Sequence, residues 1–253
     1  MVPDRGKVYL LGSGPGSVAY LTVRGYQLLT RAEVVVYDAL VDSELLTLVP
    51  AACELVNVGK RGGQPSLPQT QIDRLLVDYC QQGQQVVRLK SGDPFIFGRT
   101  TSEMQALNAA GCDFEVVPGI SSALAAPLLA GIPLTDPVLS RCFAVLSAHA
   151  PEALDWQTLA QLETLVVLMG GQHLAVIGAQ LQRWGKSPQT PIAVIRWAGH
   201  PQEQIWCGTL TTIVAQTAGV ALSPCVMVIG EVVGLRQFCT PNHQTDHQKP
   251  VAD

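Results

Sequence analysis

Apolar residues in the first half of the chain fall into short, nearly continuous runs separated by stretches with helical spacing. The runs at 7–11, 34–38, 54–58, 85–90 and 114–117 are rich in Val and Leu. That pattern predicts strands covered on both faces, as in a parallel sheet. Residues 20–30, 43–49, 68–82 and 101–110 read as helices. In the third, Ile72, Leu75, Leu76 and Tyr79 recur at helical spacing, and after the fourth Gly111 stands where a helix stop belongs. Strand–helix alternation of this kind predicts an α/β architecture. In the second half, strands are expected at 142–147, 164–169, 192–196, 204–208 and 225–231, with helices at 151–162, 172–184 and 210–218. The runs at 192–196 and 204–208 are close enough to pair as a hairpin, so this sheet is expected to be mixed. The pattern changes across 118–137. The expected organisation is an N-terminal α/β domain over 1–118, a C-terminal α/β domain over 119–238, and a polar, frayed tail over 239–253.

Composition narrows the function classes. Of 253 residues, 47% are hydrophobic and 14% charged, which excludes a disordered chain. A net charge of -4 excludes a globally basic nucleic-acid binder and leaves room only for local basic patches. The seven cysteines form no C-x-x-C pair, so buried free thiols in a reducing, cytoplasmic setting are expected. Residues 1–6 show no apolar signal-peptide core. Residues 116–135 carry no charge, but Pro118, Gly119, Pro127, Gly131 and Pro133 interrupt them. They read as a buried loop and short helix rather than a membrane span.

Five segments carry candidate chemistry. Gly12-Ser13-Gly14-Pro15-Gly16 follows the first strand, where backbone N–H groups can approach a ligand. Ser17 stands where a dinucleotide fingerprint needs its third glycine, and Pro15 removes a donor. Asp38 ends the second strand; it suits a ribose contact, a general base or a helix cap. Gly59-Lys60-Arg61-Gly62-Gly63 follows the third strand, and its two cations suit an anionic ligand or a solvated loop. Glu54 excludes a Walker A loop there, and Gln180 excludes one at Gly185-Lys186-Ser187. The fourth segment, Arg88-Leu89-Lys90-Ser91-Gly92-Asp93-Pro94-Phe95-Ile96-Phe97-Gly98-Arg99, is the most specific. Its small residues let a ligand lie against backbone. In the fifth, Pro118-Gly119 leads into a helix start bearing Ser121 and Ser122. No metal-ligand cluster, nucleophile elbow or Cys/His dyad appears, and His243 and His247 read as solvated.

Taken in order, these segments, with Gly131-Ile132-Pro133-Leu134-Thr135, resemble the tetrapyrrole methylase family from about Lys7 to Phe238. The resemblance implies two α/β domains, a mainly parallel N-terminal sheet and a mixed C-terminal one, with S-adenosylmethionine bound between them. It implies a homodimer and a small-molecule tetrapyrrole substrate, with no metal, nucleic acid or membrane partner. The implied reaction is C-methylation of uroporphyrinogen III at C2 and C7 to precorrin-2, releasing S-adenosylhomocysteine and feeding siroheme or cobalamin synthesis. Carried over position by position, Pro15, Ser91, Gly92, Asp93, Ile96, Ser121, Ser122, Met169 and Ala198 contact the cofactor. Asp38 is the proton acceptor and Lys60 the proton donor. Arg61 and Arg99, with Arg141 as a further cation, face the substrate carboxylates; Pro224-Cys225 completes the site. Three segments depart from the family pattern. Ser91 replaces Gly, Thr100-Thr101-Ser102 replaces Gly-Gly-Glu, and Asp136-Pro137 replaces His-Arg. Rival readings are a methylase of a later precorrin, a nicotinamide-dependent oxidoreductase and a catalytically silent cofactor-binding relative.

Overall fold

The computed structural model describes residues 6–59 and 67–239. The chain divides into two compact units, one ending at Ser122 and the other starting at Ala123. The first unit runs β1 (Lys7–Gly12), α1 (Val23–Leu29), β2 (Val34–Tyr37), β3 (Glu54–Asn57), α2 (Gln69–Gln81), β4 (Gln85–Lys90), α3 (Thr100–Ala109) and β5 (Asp113–Val117). Its strands lie in the order β3-β2-β4-β1-β5, and every neighbouring pair is parallel. The runs of β1, β2 and β4 are buried on both faces, as a covered parallel sheet requires, whereas the edge strand β3 corrects the expectation: it is mostly exposed, Leu55 included. Leu11, Val35, Val87 and Leu89 pack against Leu28 and Leu29 of α1 and against Leu45. Val8, Leu10, Val34, Val36 and Val86 pack against Ile72 and Leu76 of α2 and Leu107 of α3. The helix following β1 and the helix following β4 therefore cover opposite faces. Since β1 and β4 are neighbours, their outgoing loops flank a topological switch point, where open α/β sheets bind ligands.

Two expected helices are reshaped by their caps. The stretch expected over 20–30 breaks into a 3-10 turn, Val18–Tyr20, and α1. Leu21 is extended, and the Thr22 side chain accepts from Gly25 N at 3.1 Å, restarting the helix at Val23. The stretch at 43–49 is a 3-10 helix, Ser43–Leu48, opened by an Asp42 cap on Glu44 N. Gly111 takes φ +66°, the left-handed stop expected after α3.

After α4 (Ser122–Leu129), the second unit contains β6 (Phe143–Ser147), α5 (Trp156–Leu159), β7 (Thr164–Leu168), α6 (Leu174–Arg183), β8 (Pro191–Arg196), β9 (Gln204–Thr209), α7 (Ile213–Gln216), β10 (Cys225–Ile229) and α8 (Arg236–Cys239). The sheet order is β6-β7-β10-β8-β9. β6 and β7 are parallel, the remaining pairs antiparallel, and β8–β9 form the expected hairpin. One face buries Leu165, Val167, Ile192, Val194 and Met227 with Ile177 and Leu181 of α6. The other buries Val166, Ala193, Ile195 and Val228 with Ala123 and Ala126 of α4. The helix expected over 151–162 breaks at Asp155, whose carboxylate caps Thr158 N and takes its hydroxyl, leaving only the short α5.

In 116–135 the only helix is α4, eight residues long and containing Pro127. Among the described residues no helix is long and apolar enough to cross a membrane. The cysteine expectation is corrected in part: all seven are free, but only Cys80 and Cys112 are buried, while Cys142, Cys207 and Cys239 are exposed. The expected tail is corrected at its first residue, since Cys239 closes α8; residues 240–253 lie outside those described.

Candidate active site

Parallel strands deliver their following loops to one edge. In the first unit that edge gathers residues 12–16 after β1, Asp38 after β2, Val58-Gly59 after β3, residues 91–99 after β4 and residues 118–122 after β5. Lys60 and Arg61 fall outside the described residues.

The loops are joined backbone to backbone. Gly14 N donates to Gly92 O at 3.1 Å and Gly92 N to Gly14 O at 2.9 Å, while Ser13 N donates to Lys90 O at 2.7 Å. A Cβ added at Gly12 would lie 2.5 Å from Gly92 O, and one at Gly119 would lie 2.2 Å from the same oxygen. Three strand ends thus meet at distances only glycine permits. At Gly92, itself buried, and at Gly16 the packing eases to ordinary contact. A Cβ at Gly92 would meet nothing nearer than Ser122 N at 3.5 Å, and one at Gly16 nothing nearer than Asp42 Oδ2 at 3.8 Å.

Asp93 fastens this arrangement. Its Oδ1 accepts from Phe95 N at 2.8 Å and its Oδ2 from Gly119 N at 3.2 Å. The carboxylate ties the β4 loop to the β5 loop, a role the motif alone did not specify. Beyond it Phe95, Ile96 and Phe97 stand exposed in succession, an apolar surface of the kind that marks a binding site. Phe97 and Arg99 both take φ +55°, a conformation costly for non-glycine residues and concentrated at functional loops. Arg99 is exposed at the start of α3. Ser121 is buried, Ser122 opens α4, and Ser91 is exposed.

Beneath this edge lies a buried charge cluster that the sequence reading did not identify. Alternation along β4 turns Arg88 and Lys90 toward the α3 side, where their side chains are 3% exposed. Glu103 of α3, at 0%, accepts from Arg88 Nε at 2.9 Å and from Lys90 Nζ at 2.8 and 2.7 Å. Arg88 also reaches Asp38 Oδ1 at 2.6 Å. Burial and the neighbouring guanidinium push the Lys90 ammonium below the ordinary lysine range, with Glu103 opposing the shift. For Arg88, burial works against the charge, but Asp38 and Glu103 more than offset it. The available signal was the alternation of Val86, Arg88 and Lys90, which sends two cations inward and demands a buried anion.

The second unit has an edge of its own. β7 and β8 are both antiparallel to β10, so Met169 after β7, Trp197-Ala198 after β8 and Pro224 before β10 share one edge. Trp197 N donates to Pro224 O at 3.4 Å. Met169 takes φ +56° and is exposed; Trp197 takes φ +53°. Arg141 does not join them. It precedes β6, which is parallel to β7, and so lies at the opposite edge of this sheet.

Three of the residues that depart from the family pattern, Thr100, Ser102 and Asp136, are engaged within their own unit. Thr100 Oγ1 donates to Pro94 O, and Ser102 Oγ donates to Asp73 Oδ2 on α2. Asp136 Oδ1 accepts from Val138 N and Leu139 N at 2.9 Å each, closing a turn through Pro137. Among the described residues no group of three or more His, Cys, Asp or Glu could hold a metal ion.

This layout is that of known proteins. Residues 7–214 match the sequence profile of the Tetrapyrrole (Corrin/Porphyrin) Methylases. The chain is 59% identical, over 92% of its length and 96% of the relative's, to a uroporphyrinogen-III C-methyltransferase of Synechococcus elongatus. It is 47% identical to a siroheme synthase of Sodalis glossinidius, of which it spans 50%. A crystal structure of the Thermus thermophilus uroporphyrin-III C-methyl transferase complexed with S-adenyl homocysteine superposes with TM-score 0.79 at 38% identity, covering 90% of this chain and 99% of that one. With the profile matching most of the chain and the sheet edges carrying its motifs, the chain belongs to the tetrapyrrole methylases.

Proposed function

We propose that this chain transfers methyl groups from S-adenosylmethionine to C2 and C7 of uroporphyrinogen III, giving precorrin-2 and S-adenosylhomocysteine. The observation that carries this reading is the 59% identity to the Synechococcus enzyme across nearly the full length of both chains. The product would feed siroheme synthesis, as the siroheme-synthase relative suggests, or cobalamin synthesis.

The residues fit the cofactor. Gly14, Gly16 and Gly92 leave the β1 and β4 loops as bare backbone at the sheet edge, and the exposed Phe95, Ile96 and Phe97 that follow offer an apolar surface for the adenosine. Pro15, Ser91, Gly92, Asp93, Ile96, Ser121 and Ser122 are the residues we assign to holding it in the first unit, and Met169 and Ala198 in the second. When bound, the cofactor supplies a methyl group already activated by a sulfonium charge. The protein's part is to align donor and carbon and to exclude water, worth roughly 7–11 kcal/mol where alignment is good. We assign Asp38 to accepting the proton that the methylated ring releases and Lys60 to proton donation. Arg61 and Arg99 meet the substrate's carboxylates. The exposed Leu124, Leu128 and Val138 of the second unit suit a homodimer contact, and free thiols suit the cytoplasm.

A later precorrin is the second reading, raised by the motif departures. Their hydroxyls and carboxylate bond within their own unit, which favours the first reading. Anaerobic incubation with S-adenosylmethionine and uroporphyrinogen III, read by product mass, tests it. A gain of two methyl groups supports the assignment; bound cofactor with no gain turns it toward a later tetrapyrrole or a silent relative.

A further inference from the structure

A buried ion cluster in an α/β core needs a reason, because well-packed apolar residues in its place are often neutral or stabilising. Here the surroundings are Val8, Leu10, Val34, Val36, Leu76 and Leu107, yet Arg88, Lys90 and Glu103 sit among them almost without exposure. The Arg88 guanidinium is used on every side. Nη2 donates to Asp38 Oδ1 at 2.6 Å, Nε to Glu103 Oε1 at 2.9 Å, and Nη1 to the Val36 and Leu89 carbonyls at 3.4 and 3.3 Å. Five fixed donors on a planar, permanently charged group leave one orientation; a lysine ammonium would leave several. The far end of this rigid piece is Asp38, whose side chain is 32% exposed at the ligand edge of the sheet.

We propose that Arg88 is the positioning residue of Asp38. It holds one carboxylate oxygen, and with it the plane of the carboxylate, at the edge where the substrate is met. Glu103 supplies the counter-charge that allows the guanidinium to be buried and fixes its plane from the opposite side. Lys90 completes the balance, leaving two cations and two carboxylates in the cluster. The inference rests on the reading of Asp38 as the group that meets the tetrapyrrole.

A double-mutant cycle tests it, using the full chain with Asp38→Asn, Arg88→Met and the pair. Three quantities are measured: methyl transfer to uroporphyrinogen III, affinity for the unreactive porphyrin uroporphyrin III by fluorescence quenching, and affinity for S-adenosylmethionine by calorimetry. A misplaced catalytic group costs on the order of 10²-fold in rate, so Arg88→Met is expected to lower kcat on that scale. In the Asp38→Asn background it is expected to change kcat and porphyrin affinity by no more than about twofold, the scatter of independent effects. Cofactor affinity should stay at the wild-type value throughout. Where Arg88→Met does not fold, Arg88→Lys keeps the charge and the buried stem, loses the fork, and enters the same cycle.

Losses that multiply in the double variant, or cofactor affinity that falls with kcat, would make Arg88 a structural strut and overturn the proposal alone. If the wild type methylates and Asp38→Asn is fully active, the assignment of Asp38 falls and Arg88 has nothing to position. If the wild type methylates no tetrapyrrole, the functional reading itself falls and the inference with it.

Discussion

Replacing Glu103 by Gln removes one charge while keeping shape; it leaves Arg88 with Asp38 as its remaining carboxylate partner and Lys90 buried beside a neutral amide. Removing one partner of a buried ion pair costs about 3–5 kcal/mol. Lys90 sets a ceiling on that loss, because it can shed its proton. Neutralising a lysine of ordinary pKa, about 10.4, costs about 4.6 kcal/mol at pH 7 and about 1.9 kcal/mol at pH 9. The sign follows from the direction of the shift. In the native protein, burial and Arg88 already lower the Lys90 pKa and Glu103 opposes them, so deleting Glu103 drives it lower still. The unfolded chain then binds the extra proton, and stability rises with pH until the unfolded lysine itself deprotonates. The expected outcome is a deficit of about 3–4.6 kcal/mol at pH 7 that shrinks by up to about 1.4 kcal/mol per pH unit toward pH 9. Urea unfolding at pH 7, 8 and 9 measures it. All five tyrosines lie in the first unit and all four tryptophans in the second, so tyrosine near-ultraviolet dichroism and tryptophan fluorescence report the units separately. A deficit below about 1 kcal/mol at pH 7, or one that does not change with pH, would refute the reasoning.

Gly119→Ala drives a methyl group to 2.2 Å from Gly92 O, and overpacking of this kind costs about 1–3 kcal/mol, visible as a lower Tm of the first unit. Asp93→Ala frees Gly119 N and Phe95 N together and is expected to weaken S-adenosylmethionine binding at least about tenfold by calorimetry, near 1.4 kcal/mol; unchanged affinity removes that residue from the site. With a thiol-disulfide reagent at pH 8, Cys142, Cys207 and Cys239 should react first. Cys80, whose thiol burial pushes up to about 12, should react only on unfolding; fast modification of Cys80 in the native state contradicts its placement.

Much of the fold was legible because strand burial leaves a local mark. The run at 85–90 is β4 with the same limits, and the hairpin at β8–β9 follows from spacing. The gathering of the chemistry-bearing loops also followed, since parallel strands send their C-terminal ends to one edge. The strand order did not, because nothing local tells β4 to insert between β2 and β1. Helix breaks at Thr22 and Asp155 were readable in principle: each is a capping residue inside a longer apolar pattern, and the cap prevailed over periodicity. Glu103 was the harder case. On its helix it reads as a surface carboxylate, and only the partners 13 and 15 residues upstream make it a core residue.

The departures at Thr100, Ser102 and Asp136 show the same dependence on distant partners. By sequence they follow motifs that bind, where control of substrate or closure is one reading. Each instead finds acceptors or donors within its own unit: Pro94 O for Thr100, Asp73 for Ser102, and two backbone amides for Asp136. A polar side chain so engaged has less to offer a ligand, because taking it away would leave its present partner unpaired at about 1–3 kcal/mol. Ser102→Ala should therefore reduce stability through Asp73, which keeps only Gln69 Nε2, while leaving the methylated product unchanged in mass. A changed number of methyl groups in that variant would return the 100–102 segment to the substrate site and favour a later tetrapyrrole as the substrate.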